Sequence, residues 1–124
     1  MTGYRNLRVY ILAEELDKAI FQLTRKFPKS EIYSLTDQFL RSTHSITSNI
    51  AEGFGRRSYP REYVRFLIFS QASCHESREH LKTAFNRKYC LGKDFLTLDD
   101  KFDHIGKMLT LLIKKIKSDP TNNE

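Results

Sequence analysis

A basic cluster with an aromatic residue inside it is the group of side chains best suited to chemistry. Arg56 and Arg57 lie in a predicted turn, and Arg61 and Arg65 follow Arg57 at positions i+4 and i+8, which makes a basic ridge at the entry to the next helix. Guanidinium groups bind phosphate in a fixed geometry, and the ring of Tyr59 is suited to stacking on a base. The pattern predicts that these five residues form a nucleic-acid-binding surface.

The alternative interpretation of the same cluster is a solvated helix face. Its arginines would then pair with Glu62, with another carboxylate or with neighbouring subunits. Gly53 and Gly55 precede the cluster and are expected to free the backbone to leave a helix. The next helix would start beside the arginines, where its N-terminus favours a phosphate, and Tyr63 would supply a second ring for stacking.

Four polar residues fall where the helical pattern points toward a core. They are Ser45, Asn49, Glu52 and Glu76. Buried polar groups need hydrogen-bond partners, so we expect these side chains to satisfy one another or backbone groups. A structural polar network that sets the helix register is favoured over a catalytic site.

The known catalytic patterns of helical proteins do not match this chain. A carboxylate-bridged metal site needs a glutamate three residues before a histidine, but those positions hold Arg41, Ala72, Ser77 and Lys101. Cys74 and His75 are adjacent and point about 100° apart on a helix. An RNase motif with four to six residues between an arginine and a following histidine on one helix is also unmatched. We expect no metal, no cofactor and no enzymatic activity.

Length and composition indicate one soluble domain. The chain has 124 residues, of which 40% are hydrophobic and 29% charged, which is wrong for a disordered chain. No uncharged run reaches the length of a membrane span, no signal peptide is visible, and two widely spaced cysteines are expected to be reduced thiols. We therefore expect a cytoplasmic protein. Its net charge of +6 fits nucleic acid, an anionic membrane, an acidic partner or simple solubility.

Apolar residues recur at alternating spacings of three and four in four segments of the chain. In the third segment the inward-pointing positions are Tyr63, Leu67, Ser70, Cys74, Ser77, Leu81 and Ala84. Glycine and proline separate these segments, which predicts helices over about 7–26, 34–54, 59–89 and 94–117, with a frayed tail at 118–124. This alternation is typical of helices that pack about 20° apart. Short connections make consecutive helices antiparallel neighbours. The predicted fold is an all-α, up-down-up-down four-helix bundle that occupies residues 1–124 as a single domain.

The first and third helices carry more apolar residues than one buried stripe needs. The additional residues on the two helices are Tyr10, Ile11, Leu12, Phe21, Tyr63, Phe66, Phe69 and Tyr89. A second buried face, and hence self-association, is favoured over the alternative of a wide single core.

Several short runs resemble the bacterial "four helix bundle protein" family. They are Phe27-Pro28-Lys29-Ser30-Glu31, Leu35-Thr36 with Gln38, Ser45-Ile46 followed by Asn49-Ile50-Ala51-Glu52-Gly53, Arg65-Phe66-Leu67, and Ala72-Ser73 with Glu76. The family includes proteins encoded in intervening sequences of large-subunit ribosomal RNA genes and the accessory variability determinant of diversity-generating retroelements. The resemblance covers about residues 7–117. Family members usually have Gly-Ser in place of Ala72-Ser73 and Arg-Arg-Ala in place of Leu40-Arg41-Ser42.

The resemblance implies a homopentamer with a basic surface, whose accessory members bind nucleic acid and a reverse transcriptase. Together with the basic cluster, it favours a non-enzymatic homo-oligomer that binds RNA or DNA as an accessory or chaperone-like factor. The alternative is a protein-interaction adaptor or scaffold for a reverse transcriptase or another acidic partner, with no direct role at nucleic acid. A cryptic RNase is the third and least favoured hypothesis.

Overall fold

Four long helices form the protein, as seen in a computed structural model that describes residues 3–119. They are α1 (Arg8–Thr24), α2 (Leu35–Gly55), α3 (Pro60–Asn86) and α4 (Gly92–Ser118), with short 3₁₀ turns at Tyr4–Asn6 and Lys29–Glu31. The described residues contain no strand. The all-α class is confirmed, and each helix end lies within three residues of its predicted position. A frayed tail was expected at residues 118–124. Ser118 is instead the last residue of α4, and residues 120–124 lie outside the described part of the chain.

Hydrogen bonds between α2 and α3 show that these helices are antiparallel. The hydroxyls of Ser42 and Ser77 lie 2.8 Å apart, and Ser70 donates to the carbonyl oxygen of Ile46 at 2.8 Å. Residue numbers therefore rise along α2 as they fall along α3.

The same relation holds between α3 and α4. Gln71 donates to the Thr110 hydroxyl at 2.9 Å, and Arg78 donates to Asp99 at 2.9 Å. α1 contacts α2 and α4, so each helix packs against its neighbours in sequence and the first helix closes on the last. The structure is an antiparallel up-down-up-down bundle.

The buried core follows the predicted apolar stripes closely. All seven residues of the α3 stripe are buried: Tyr63, Leu67, Ser70, Cys74, Ser77, Leu81 and Ala84. Phe39 and Phe102 are the largest fully buried side chains and come from opposite helices of the bundle. Both cysteines are free and buried.

Helix α3 ends earlier than its pattern predicts, at Asn86 rather than at residue 89. Lys88 takes a left-handed conformation, with φ of 67°, which ends the helix. The amides of Lys88 and Tyr89 donate back to the carbonyl oxygens of Phe85 and Ala84, each at 2.9 Å, as in a Schellman cap. Glycine usually occupies this position, so a lysine gives no signal in the sequence. Cys90 consequently lies beyond the helix rather than inside it.

The predicted second apolar face is only partly present. Tyr63 belongs to the core, and Tyr89 turns inward to donate to Glu31 at 2.7 Å. Ile11, Phe21 and Phe69 remain exposed. Further apolar or aromatic side chains that the helical pattern did not single out are also exposed: Ile32, Tyr33, Ile68, Leu91, Leu96 and Leu111.

Candidate nucleic-acid interface

The basic cluster occupies the tight connection between α2 and α3. The amide of Arg57 donates to the Phe54 carbonyl at 3.1 Å, and the amide of Tyr59 donates to the Arg56 carbonyl at 2.8 Å. Pro60 then starts α3, at a helix position that tolerates proline. These bonds fix the backbone that carries the arginines.

Gly53 brings the two helices together instead of ending α2. Both Gly53 and Gly55 lie within α2, and neither has a positive φ, so the expectation that they free the backbone is wrong. A Cβ at position 53 would lie 3.1 Å from the Phe66 Cβ and 3.2 Å from the Tyr63 carbonyl oxygen. The absence of a side chain permits this close approach, which sets where the arginines of α3 stand relative to those after α2.

Two of the four arginines are paired with carboxylates on their own helix turn. Arg56 pairs with Glu52, and Arg65 donates to both oxygens of Glu62 at 3.2 Å. Both pairs are substantially exposed, so each contributes little to stability and is open to exchange for another anion. The solvated-face interpretation therefore describes these two residues in the unbound protein.

Aromatic rings support three of the guanidinium groups. The Arg57 guanidinium lies 4.2 Å from the centre of the Phe54 ring, and that of Arg56 lies 4.6 Å from the Phe66 ring. Arg65 lies 5.0 Å from the same Phe66 ring. Cation–π contacts of this kind restrict a long side chain before any ligand arrives.

Arg57 and Arg61 form no salt bridge with a carboxylate in residues 3–119. Tyr59 lies between them in sequence and is 69% exposed. Tyr63, by contrast, is 8% exposed, and burial raises the pKa of its hydroxyl. Tyr63 therefore cannot stack on a base, and Tyr59 is the tyrosine of the cluster that offers its ring.

The bundle topology adds basic residues that the sequence did not connect to this cluster. Because the helices are antiparallel, the start of α1 and the end of α4 lie at the same end of the bundle as the α2–α3 connection. Residues 4–13, 51–65 and 114–119 together are called the basic end below. Its cations are Arg5, Arg8, Arg56, Arg57, Arg61, Arg65, Lys114, Lys115 and Lys117.

The basic end carries nearly all of the excess charge of the chain. It contains nine of the 21 basic residues and three acidic ones, Glu52, Glu62 and Asp119, for a net charge of +6. The rest of the described chain has twelve basic and eleven acidic residues, which nearly cancel. The signal was available in the sequence as charge at helix ends, but only the antiparallel topology brings those ends together.

Half of the predicted polar network is present. Asn49 donates to the hydroxyl and to the carbonyl oxygen of Ser45, both at 2.9 Å, and Ser73 donates to the Ser45 hydroxyl at 2.9 Å. Glu52 and Glu76 are exposed and are not members. The sequence pattern placed both glutamates on the inner face of their helices, but both lie on the outer face. There each pairs with a residue four positions later: Glu52 with Arg56, and Glu76 with His80. The interhelical partner that the sequence did not identify is Ser73.

The remaining reactive groups lie away from the basic end. Burial raises the pKa of the Cys74 thiol to about 11, and this thiol donates to the Phe102 carbonyl at 3.1 Å. Within residues 3–119 no three histidine, cysteine or carboxylate side chains are grouped as metal ligands would be. None of the helices in the same range has the length and apolar content needed to cross a membrane.

Comparison with known proteins finds a family match and a similar solved structure. The sequence model of a family described as 23S rRNA-intervening sequence protein matches residues 5–111. A crystal structure from Bacteroides thetaiotaomicron, described as a protein of unknown function from the S23 ribosomal protein family, superposes with a TM-score of 0.78 at 20% identity. The alignment covers 86% of this chain and 98% of that one, and shows that the two share a fold. No curated protein matches the chain.

Proposed function

The chain belongs to the 23S rRNA-intervening sequence protein family, and from that premise we propose that it is a non-enzymatic nucleic-acid-binding protein. It binds RNA or DNA through the basic end and acts as a cytoplasmic accessory or chaperone-like factor. It works as a homo-oligomer, and the proposed oligomer is the pentamer that the family resemblance implies.

The observation that carries this proposal is the segregation of charge. Solubility would account for a net charge of +6 spread over the surface, but it does not require that this charge be concentrated at one end beside a nearly neutral remainder. A concentrated positive field raises the local concentration of a polyanion and speeds its association. Arg57 and Arg61, which form no carboxylate pair in residues 3–119, need lose no intramolecular partner when they bind phosphate.

Binding is tested by fluorescence anisotropy with a labelled oligoribonucleotide over a series of salt concentrations. Each phosphate contact lowers the logarithm of affinity by about 0.7 to 0.9 for each unit of log salt, because bound counterions are released. We expect a slope that corresponds to several contacts. An affinity independent of salt would contradict the proposal.

A charge-matched pair of variants locates the surface. Replacing Arg56, Arg57, Arg61 and Arg65 with glutamine removes four cations from the basic end and should abolish most of the binding. The control replaces four exposed lysines elsewhere with glutamine, namely Lys18, Lys26, Lys93 and Lys101, and gives the same net charge. Equal losses in the two variants would mean that only net charge matters and would refute the proposed surface.

Self-association is supported by apolar side chains that the bundle leaves exposed. Phe21 on α1 is 50% exposed, and the adjacent Ile68 and Phe69 on α3 are 46% and 40% exposed. Exposed apolar patches mark subunit interfaces. Sedimentation velocity over a range of protein concentrations tests this part. A monomer at all concentrations would contradict it and leave the nucleic-acid proposal standing.

An acidic protein partner is the second candidate ligand. The observation that favours it is that Arg56 and Arg65 already bind carboxylates, those of Glu52 and Glu62, in the free protein. A reverse transcriptase or another partner with an acidic segment would then dock on the basic end. Polyglutamate that competes with RNA at equal charge concentration would favour this adaptor role. Failure to compete would favour nucleic acid.

A further inference from the structure

We infer that the basic end selects single-stranded nucleic acid over duplex, with an unpaired base stacked on Tyr59 and adjacent phosphates held by Arg57 and Arg61. This inference rests on the proposed function and names the form of its ligand. The shared chemistry is a flexible phosphodiester chain with accessible base faces, and RNA and DNA are its two sources.

Tyr59 is presented in a way that suits stacking. Its side chain is 69% exposed, and the structure gives its ring no aromatic or cation–π partner and its hydroxyl no hydrogen bond. Its backbone is nevertheless fixed, since its amide donates to the Arg56 carbonyl and its carbonyl accepts from the amides of Glu62 and Tyr63 at 2.9 and 3.0 Å. The backbone of Tyr59 is thus fixed, and its ring is left open to solvent.

The neighbouring phenyl rings at this end are already covered. Arg57 lies over Phe54, and Arg56 and Arg65 lie over Phe66. The same contacts leave guanidinium N–H groups free for phosphate, since Arg57 donates one N–H to the Phe54 carbonyl at 3.0 Å and a guanidinium has five. Within the cluster, the arginines therefore bind phosphates and Tyr59 stacks on a base.

The form of the ligand follows from the open ring. In a duplex both faces of an internal base pair are occupied by neighbouring pairs, so only an unpaired base can stack on Tyr59. The cations are also distributed over the ends of four helices, whose axes lie about 8–10 Å apart. A flexible strand can follow that distribution, whereas a straight duplex meets only part of it.

The inference is tested by anisotropy titration of the full chain with three labelled probes that carry the same number of phosphates. The probes are an unstructured oligoribonucleotide, the oligodeoxyribonucleotide of matching sequence and a duplex whose two ends are closed by non-nucleotide linkers, so that no terminal base pair has an open face. We expect both single strands to bind more tightly than the duplex. The ratio of RNA to DNA affinity then shows whether ribose hydroxyls contribute.

Variants of Tyr59 separate stacking from charge. We expect Tyr59→Ala to weaken single-strand binding about fivefold or more, the lower range for one stacked base, and to leave the salt slope unchanged. Tyr59→Phe keeps the ring and should keep the affinity. Arg57→Gln and Arg61→Gln should each lower the slope by about 0.7, because each removes a phosphate contact. The matched control is Tyr33→Ala, which removes a 95% exposed tyrosine from the opposite end of the bundle and should have no effect.

The outcomes distinguish this inference from the proposal beneath it. Duplex binding as tight as single-strand binding, or a Tyr59→Ala variant with unchanged affinity, overturns the inference and leaves salt-dependent binding at the basic end intact. A chain that binds none of the three probes overturns both.

Discussion

Gly53 lies so close to Tyr63 that a Cβ added to the glycine would stand 3.1 Å from the Tyr63 Cδ1 and 3.2 Å from its carbonyl oxygen. The second of these atoms belongs to the backbone of α3, which cannot move without shifting the whole helix. The contact determines the separation of α2 and α3 immediately before the turn that carries Arg56 and Arg57. The geometry of the basic end therefore depends on a residue that carries no charge.

Alanine at position 53 is predicted to destabilise the protein by about 1–2 kcal/mol, because the overpacked methyl forces α2 away from α3. Gly55 provides the matched control, since a Cβ there meets nothing within 4 Å. Gly55→Ala should stabilise the protein by up to about 1 kcal/mol, since alanine is the better helix former. Urea denaturation of both variants measures the difference, and effects of equal sign would contradict the close-approach role of Gly53.

The fold was predictable because the apolar spacing of each helix is regular. All seven α3 positions from Tyr63 to Ala84 that the pattern pointed inward are buried. The basic cluster was also predictable as a local run. Its extension to Arg5 and Lys117 is not visible in that local run, because those residues lie at the two ends of the chain. It follows only when the charge at the helix ends is combined with the antiparallel topology.

Two errors of the sequence interpretation share one cause. Helical spacing assigns a residue to a face only to within about one residue's rotation, roughly 100°. Glu52 and Glu76 lie just outside that limit and are exposed, whereas Asn49, three residues before Glu52, joins the network. The helical spacing pattern alone does not define the edge of the buried stripe at these positions.

Lys88→Gly is predicted to stabilise the protein by about 1 kcal/mol. Lys88 holds a φ of 67°, a conformation that costs an L-residue with a side chain about that much and costs glycine nothing. Lys101→Gly, in the exposed interior of α4, should have the opposite sign, since glycine there only weakens a helix. Thermal unfolding of the two variants would show melting temperatures that move in opposite directions. A Lys88→Gly protein that melts earlier than the parent would contradict the prediction.

The stability of the end opposite the basic end is predicted to depend on the ionisation of Glu31. Hydrogen bonds from Ser34, Tyr89 and Arg87 lower the pKa of this carboxyl from 4.5 to about 2. A lowered folded-state pKa means that the carboxylate stabilises the fold fully above about pH 4.5, and that this contribution is lost as the pH falls toward 2.

The comparison of the parent with Glu31→Gln measures this contribution. At neutral pH the variant should melt several degrees lower, because glutamine carries no charge for Arg87. As the pH falls through the window from 4.5 to about 2, the two melting temperatures should converge. A difference that stays constant across that window would show that the charge of Glu31 makes no contribution.

Thr36→Val is predicted to stabilise the protein by about 1 kcal/mol. Among the buried side-chain polar atoms of residues 3–119, the Thr36 Oγ1 is the one that lacks a hydrogen-bond partner. An unpaired buried hydroxyl loses its hydration without compensation, and valine has nearly the same shape without that cost. Thr43→Val is the matched control, because the Thr43 hydroxyl is also buried but donates to Ser77 at 3.3 Å. Removing that donor should destabilise the protein by about the same amount, since Ser77 then loses a bond within the α2–α3 contact. The two threonine-to-valine changes, both on α2, should thus shift the urea midpoint in opposite directions. Shifts in the same direction would mean that side-chain shape rather than hydrogen bonding decides stability at both sites.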